Sequence, residues 1–216
     1  MEQPKQPPPP LSIRRRLTSI DTALSLRLHD LAQLLLPRPL LKALEISGDG
    51  RLFFPVTLSL LLTSATAASP PLSALLADLL IGALLDLLLV GLLKHLVRRP
   101  RPLYNKHMFL SFAVDHWSFP SGHASRVCLI AALFHLESAE VAGDLTDLLG
   151  FGEAAMFNWF VGGWAAATSV SRVLLGRHFV FDVIAGACLG VFEAVVVFRF
   201  LNCSVLSAVS ISERLL

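Results

Sequence analysis

Apolar stretches, separated by short polar or proline-containing segments, make up most of this chain. A membrane-crossing helix needs about 20 mainly apolar residues. Four stretches come close to or exceed that length: 52–69, 72–93, 154–171 and 179–201. A shorter one, 124–136, follows Gly122 and His123. The pattern predicts an all-α integral membrane bundle.

The stretch at 18–50 differs from the others because charged side chains interrupt its apolar positions. Pro37 and Pro39 break the run, and a turn around Gly48 ends it. Two interpretations stay open. The stretch is either an amphipathic helix lying in the headgroup region or a weak first membrane helix. The bundle therefore has five or six transmembrane helices.

Composition supports a membrane protein. The chain is 54% hydrophobic and 16% charged, whereas soluble domains are about 25% charged. Its 216 residues fit one domain. We expect a disordered, proline-rich and basic tail at 1–17, the first helix at 18–50, the membrane domain at 51–203 and a C-terminal tail at 204–216.

Charge is distributed unevenly along the chain. Basic residues cluster at 14–16 and 98–101, whereas 137–153 holds acidic residues and no Lys or Arg. We expect an acidic loop at 137–153. For Arg98 and Arg99, a topology signal and a role in substrate binding both stay open.

Three polar clusters lie where predicted spans begin or end. They are Lys94 with Arg101-Pro102, then Pro120-Ser121-Gly122-His123, then Ser171-Arg172 with His178 and Asp182. Because consecutive spans alternate in direction, all three clusters reach the same membrane face. This holds whether or not the first helix crosses.

The cationic and helix-start residues of these clusters suit a phosphate. Lysine and arginine neutralise a dianion, and arginine offers a planar fork for two oxygens. A hydroxyl and free backbone N–H groups at a helix start also bind anions. The predicted phosphate-binding residues are Lys94, Arg101, Ser121, Gly122 and Arg172.

Two histidines and one aspartate are the predicted catalytic residues. His178 and Asp182 are four residues apart and share a helix face. We expect the Asp182 carboxylate to accept a hydrogen bond from the imidazole, which leaves the other ring nitrogen free to attack. His123 would then protonate the leaving oxygen and later deprotonate the attacking water.

The clusters resemble the signatures of the type 2 phosphatidic acid phosphatase superfamily, also called lipid phosphate phosphatases. All the signature residues are present in order: Lys94, Arg101, Pro102, Pro120, Ser121, Gly122, His123, Ser171, Arg172, His178 and Asp182. The resemblance covers 72–198 and makes 51–203 a membrane phosphatase domain. It implies a core like that of acid phosphatases and vanadium haloperoxidases. It also implies a phosphohistidine at His178, inhibition by vanadate and hydrolysis without a divalent cation.

Within that family, the chain is similar to short polyisoprenoid diphosphate phosphatases, including the presqualene diphosphate phosphatase. The similar stretches are 40–48, 86–90 and 118–124. They imply farnesyl, geranylgeranyl or presqualene diphosphate, or the monophosphates, as substrates. Arg98, Arg99 and Lys106 add positive charge that a second phosphate could use.

Other functions remain open at this point. One is a broad-specificity phosphatase acting on phosphatidic acid, lysophosphatidic acid and sphingosine 1-phosphate. Another is a non-catalytic lipid-phosphate transporter, suggested by Asp78, Asp86 and Glu193 within spans, although helix–helix hydrogen bonds explain such residues equally well. No metal ion or cofactor is expected, because carboxylate clusters suited to Mg²⁺ are absent near the three clusters.

The expected partners are a lipid phosphate or diphosphate substrate and membrane lipids, with no nucleic acid. Oligomeric state is open. Gly186 and Gly190 form a small-xxx-small pair, for which packing within one bundle is favoured over dimerisation. The expected location is the endoplasmic reticulum, with the nuclear envelope as the alternative. With five spans, basic residues favour an active site facing the cytosol; with six, the family pattern implies the lumen.

Overall fold

The computed structural model describes residues 13–63, 69–104, 116–149 and 154–202. Within them lie seven α-helices, which we number α1 to α7. They are Ile13–Leu35, Arg38–Ser47, Gly50–Leu61, Pro70–Val97, Gly122–Leu149, Ala154–Leu174 and Val180–Val196, followed by a π-helical turn at Val197–Leu201. The described residues form no β-strand beyond one isolated bridge between Pro100 and Trp117. The all-α expectation is confirmed.

Local sequence accounts for the helix boundaries. Pro37 lies between α1 and α2, where its ring ends the first helix. Gly48 ends α2, and the Asp49 side chain caps α3 by accepting from the Arg51 N–H at 2.9 Å. Ser69 caps α4, whose first residue is Pro70. The predicted 18–50 helix is therefore two helices joined by a short turn.

Two boundaries differ from prediction. Helix α1 begins at Ile13, so part of the range expected to be a tail is helical. The acidic loop expected at 137–153 is wrong over most of its length, because α5 continues to Leu149. This segment is rich in Ala, Leu and Glu, which are strong helix formers, and acidic charge alone does not end a helix. Residues 150–153 lie outside the described part of the chain.

Two described helices are long and apolar enough to cross a bilayer: Pro70–Val97, and Val180–Leu201 including the π-helical turn. Gly50–Leu61, in the region of the first predicted span, is apolar but only 12 residues long. The other long helices carry more polar side chains. The number of spans stays a prediction.

The bundle core is built where α4, α5, α6 and α7 face one another. Its most buried apolar side chains include Leu75, Leu79, Leu129, Leu133, Val161 and Val197. In lipid, helices associate mainly by close packing and interhelical hydrogen bonds, because lipid tails are as apolar as leucine. The core therefore depends on how closely the helices approach.

Two glycines set the approach of α7 to α5. A Cβ atom at Gly186 would lie 2.4 Å from the Ser121 carbonyl oxygen, and one at Gly190 would lie 1.9 Å from the Ser125 carbonyl oxygen. No side chain fits at those distances, since the obstructing atoms are backbone. The glycine pair packs within one bundle, as predicted.

Buried carboxylates between these helices have partners in neighbouring helices. Asp86 of α4 accepts from the Arg126 guanidinium of α5 at 2.8 Å. Glu193 of α7 accepts from the Ser125 hydroxyl at 3.3 Å. These contacts favour the helix–helix explanation of both carboxylates over a transport pathway.

Candidate active site

The three polar clusters meet at one end of the bundle. The first begins in the last turn of α4 and continues beyond it, the second leads into α5, and the third extends from the end of α6 into the first turn of α7. Backbone contacts join them directly. The Ser121 N–H donates to the Asp182 carbonyl at 2.9 Å, and the Arg101 guanidinium donates to the Arg177 carbonyl at 2.8 Å. The structure therefore brings the three clusters together at one end of the bundle.

The turn that carries His178 is shaped by Gly176. This glycine has φ = +72°, a left-handed conformation that residues with a Cβ rarely adopt. A Cβ atom there would also lie 2.8 Å from the Tyr104 ring. The N–H groups of Arg177 and His178 then both donate to the Arg172 carbonyl, at 2.9 and 3.2 Å. This closes the end of α6 and turns the chain into α7.

Ser118 determines which nitrogen of His178 carries the proton. The Nδ1 atom lies 2.7 Å from the Ser118 carbonyl oxygen. Because a carbonyl can only accept, Nδ1 must donate, and the lone pair then lies on Nε2. The Nε2 atom is 3.2 Å from the Arg101 guanidinium. The nitrogen that can attack therefore lies beside a cation able to hold a phosphate oxygen.

The prediction of a hydrogen bond between Asp182 and His178 is wrong. The nearest Asp182 oxygen is 3.9 Å from Nδ1, too far for a hydrogen bond. The Asp182 carboxylate instead accepts from the Phe179 N–H at 2.9 Å and from Arg99 at 2.7 Å. Since α7 begins at Val180, Asp182 lies in the first helical turn. Its carboxylate accepts from the unpaired N–H group at the start of the helix instead of from the His178 ring.

Electrostatics keep His178 neutral. Burial lowers the pKa of His178 well below 6.5, and the positive charges of Arg101, Arg172 and Lys94 lower it further. The same three cations also act electrostatically on His123. Both histidines therefore lie within the field of the predicted phosphate-binding cations.

The start of α5 is more enclosed than we predicted. Ser121 is fully buried, and its N–H is bonded to Asp182. Its hydroxyl accepts from the Ala124 N–H at 3.5 Å and so caps the helix. A Cβ at Gly122 would lie 3.2 Å from Val90 of α4. The expectation that the Ser121 N–H is free for an anion is wrong, because tertiary contacts already use it.

Arg172 is paired with a residue that we did not predict. Its guanidinium contacts the Glu45 carboxylate of α2 at 2.5 Å, and Arg177 contacts the same carboxylate at 3.1 Å. Burial raises the pKa of Glu45, but the two arginines outweigh that effect and hold the pKa below 4.5. Among the described residues, the buried Nε–H of Arg172 has no hydrogen-bond partner, so one donor is left for a ligand.

His123 lies against the turn between α2 and α3. A Cβ at Gly48 would be 3.6 Å from its ring. Its Nε2 atom is buried and has no hydrogen-bond partner within the described ranges. This nitrogen therefore has hydrogen-bonding capacity that the described residues do not use.

Comparison with known proteins identifies the family. The PAP2 superfamily model matches residues 75–204, more than half of the chain and all three clusters. The chain belongs to the PAP2 superfamily. It is therefore a membrane phosphatase, as the signature residues predicted.

Similar proteins agree with that membership. "Probable lipid phosphate phosphatase beta" of Arabidopsis thaliana is 44% identical over an alignment of 208 residues, covering 86% of this chain and 91% of that protein. The transmembrane PAP2-type phosphatidylglycerolphosphate phosphatase of Bacillus subtilis superposes with a TM-score of 0.68 at 22% identity, covering 86% of each chain. Aquifex aeolicus LpxE superposes with a TM-score of 0.56 at 24% identity, covering 82% of this chain and 96% of that one. The membrane-bundle fold is confirmed.

The sequence of this PAP2 chain did not reveal three contributors to the site. Ser118 acts through its carbonyl, which no sequence pattern exposes. Arg177 precedes His178 but lies outside the predicted signature. Glu45 lies in α2 beside Arg38 and Lys42, so its charge does not stand out; its place in the similar stretch 40–48 is the signal that points to it.

Proposed function

We propose that this PAP2 protein hydrolyses lipid phosphates by forming a phosphohistidine at His178. The observation that carries the proposal is the orientation of the His178 ring. Its Nδ1–H donates to the Ser118 carbonyl, which leaves the lone pair on Nε2, and Nε2 lies 3.2 Å from the Arg101 guanidinium. A neutral imidazole with a fixed tautomer is a nucleophile. The adjacent guanidinium supplies the positive charge that a phosphate needs.

In the first step, His178 Nε2 attacks phosphorus and the bond from phosphorus to the lipid oxygen breaks. His123, which enters this step as the imidazolium, gives its proton to that departing oxygen and becomes neutral. Arg101, Lys94 and the free Nε–H of Arg172 stabilise the negative charge on the remaining phosphate oxygens. The products are the dephosphorylated lipid and phosphorylated His178.

In the second step, His123 takes a proton from water, whose oxygen attacks phosphorus. The bond to Nε2 breaks, and inorganic phosphate leaves with His178 restored to its neutral form. While Nε2 is phosphorylated, the imidazole carries positive charge. Asp182 at 3.9 Å and the Ser118 carbonyl stabilise that charge, so Asp182 acts by its field and not through a hydrogen bond.

A lipid substrate follows from where the site lies. The candidate residues occupy one end of a bundle that contains two helices able to cross a bilayer. A phosphate at the headgroup level reaches them while its chain stays in the membrane. The PAP2 membership and the similarity to a lipid phosphate phosphatase support the same substrate class.

For the finer specificity we propose polyisoprenoid diphosphates and monophosphates over phosphatidic acid, with the endoplasmic reticulum as the location. The support is the similarity at 40–48, 86–90 and 118–124, because the charge argument is now weaker. Arg99 is engaged by two carboxylates and Arg98 bonds His95, while Lys106 lies outside the described residues. Broad-specificity hydrolysis remains the alternative.

Release of inorganic phosphate by purified protein, assayed in excess chelator, tests both the metal-independent mechanism and the substrate preference. The panel is farnesyl diphosphate, presqualene diphosphate, phosphatidic acid and sphingosine 1-phosphate. We expect turnover in chelator, inhibition by vanadate and a higher kcat/KM for the isoprenoid substrates. A clear preference for phosphatidic acid removes the finer proposal. Absence of turnover on every lipid, or dependence on Mg²⁺, overturns the mechanism.

A further inference from the structure

Helix α1 turns a polar stripe toward the active site and leaves apolar side chains exposed. Asp21, Ser25 and His29 recur every four residues and therefore share one helix face. Asp21 and Ser25 are fully buried, whereas Ile20 and Leu34 on the opposite side of the helix are exposed. In a soluble helix the opposite arrangement is expected, so the polar stripe must have partners within the protein.

Those partners belong to the chain around His178. The His29 Nδ1–H donates to the Leu174 carbonyl at 2.7 Å, at the end of α6. The Ser25 hydroxyl accepts from the Val180 N–H at 3.0 Å. Asp21 accepts from the Phe181 N–H at 3.1 Å. The polar stripe thus contacts both ends of the segment that carries His178.

Two of these bonds satisfy the start of α7. The first N–H groups of any helix lack partners within it and need acceptors from elsewhere. Here the acceptors come from α1, more than 150 positions earlier in the chain. A negative charge at this position is also favoured by the helix dipole.

Arg99 links α1 to Asp182. Its two terminal nitrogens lie 2.7 Å from Asp21 and 2.7 Å from Asp182. The guanidinium also lies over the Phe179 ring, 4.1 Å from its centroid. Both carboxylates are fully buried, so one arginine balances two charges that water does not reach.

We propose that Asp21 is a positioning residue for the phosphatase reaction, acting through Arg99 and the first turn of α7 to hold Asp182 and the His178 turn in place. Asp21 does not touch the phosphate. It keeps Arg99 oriented toward Asp182, whose carboxylate in turn holds the Phe179 N–H next to His178. The inference rests on the proposed role of His178.

Asp21→Asn is the decisive variant, because it keeps an oxygen for the Phe181 N–H but removes the charge that faces Arg99. Displacing catalytic groups by about 1 Å can cost ~100-fold in rate. We expect kcat to fall by ~10–100-fold with KM within a factor of three and the melting temperature in detergent little changed. Asp30→Asn, an equal charge change at an exposed site in the same helix, should match wild type.

Ser25→Ala provides a milder test that survives if Asp21→Asn does not fold. It removes one acceptor for α7, and we expect kcat to fall several-fold at unchanged KM. Wild-type kcat in both variants overturns the proposal. The proposal is also overturned if the variants change KM and leave kcat unchanged. If Asp21→Asn does not fold, wild-type kcat in Ser25→Ala overturns it.

The assay uses whichever lipid phosphate the wild type turns over fastest, so the outcome does not depend on the isoprenoid preference. His178→Ala is measured in parallel. Turnover by that variant rejects the proposed nucleophile and with it the mechanism. Loss of turnover in His178→Ala, with normal kcat in Asp21→Asn and Ser25→Ala, rejects the positioning role alone.

Discussion

At the scale of single residues, the environment of His178 controls the proposed chemistry. The Ser118 carbonyl holds one ring nitrogen as a donor and Arg101 faces the other. His123, by contrast, has a buried nitrogen without a partner in the described structure. The two histidines are thus suited to different work, one as a fixed nucleophile and the other as a proton carrier.

Alanine substitutions should separate those two roles. His178→Ala should abolish turnover and trapping of a phosphoenzyme, because the attacking Nε2 atom is lost with the ring. His123→Ala should lower kcat by ~10²–10⁴-fold, the usual value of general acid–base assistance. Phosphate release and phosphoenzyme trapping measure both effects. His135→Ala, exposed on the same helix as His123, is the control and should behave as wild type.

The acidity of His178 gives a second prediction. Only the neutral imidazole can attack, and burial together with Arg101, Arg172 and Lys94 holds the pKa of His178 well below 6.5. A depressed pKa keeps the active form populated as the pH falls. The acid limb of kcat/KM that belongs to His178 should therefore lie below pH 6.5.

Substrate ionisation must be separated from that limb, because a phosphate monoester loses its second proton near pH ~6. Profiles for a monophosphate and a diphosphate substrate make the distinction. A limb at the same pH with both substrates belongs to the enzyme. If that shared limb lies at or above 6.5, the neutral-histidine argument is wrong.

At the scale of helices, the contact between α5 and α7 holds parts of two clusters in register. Gly186 and Gly190 let α7 approach the α5 backbone, and the Ser121 N–H reaches the Asp182 carbonyl at the end of the same contact. Close packing and site geometry therefore depend on the same pair of helices.

Gly190→Ala should destabilise the protein by about 1–3 kcal/mol, the usual range for overpacking. A Cβ there would meet backbone atoms of Ser125, which cannot rotate away as a side chain can. Gly162→Ala in α6 is the matched control, since nothing lies within 4 Å of its Cβ position. It should be neutral or stabilise by up to ~1 kcal/mol through helix propensity.

Thermal unfolding in detergent measures both variants, and phosphatase activity reports the effect on the site. We expect a lower melting temperature and reduced kcat for Gly190→Ala alone. An unchanged melting temperature for this variant would show that α5 and α7 are further apart than the structure has them.

At the scale of the whole molecule, the contacts of the N-terminal helices bear on topology. The polar stripe of α1 contacts the His178 turn, and Gly48, just before α3, lies beside His123. We propose that α1 and α2 lie at the active-site face, and that the predicted span 52–69 together with α4 to α7 makes five crossings. The basic residues at 14–16 and 98–101 would then share that face, which favours the cytosol.

Glycosylation acceptors test this arrangement. Because α5 extends to Leu149, an acceptor on the side opposite the active site belongs in residues 150–153. With a cytosolic active site, that acceptor is luminal and should be modified, whereas one in the 105–115 connection should not. Modification at 105–115 instead puts the active site in the lumen. An acceptor before Ile13 should follow the 105–115 result if α1 does not cross.

Much of this protein could be predicted from its sequence because membrane helices and phosphate chemistry leave local signals. Apolar length predicts helices that can cross a bilayer, and alternation of direction predicts one face for Lys94, His123 and His178. Prolines and glycines predicted the breaks near Pro37 and Gly48. The prediction of a loop at 137–153 was wrong because acidic charge does not end a helix, and residues of high helix propensity continue α5 to Leu149.

Other features were decided only by the tertiary structure, because they depend on groups far apart in the chain. The Asp182 carboxylate bonds Arg99 and the Phe179 N–H rather than His178, since the start of α7 needs an acceptor there. Glu45 and Asp21 reach the site from helices that contain none of the three signature clusters. The residue types of the site can be recognised from short sequence motifs. The partner of each buried donor or charge, however, is the group that folding brings nearest, and spacing along the sequence does not predict it.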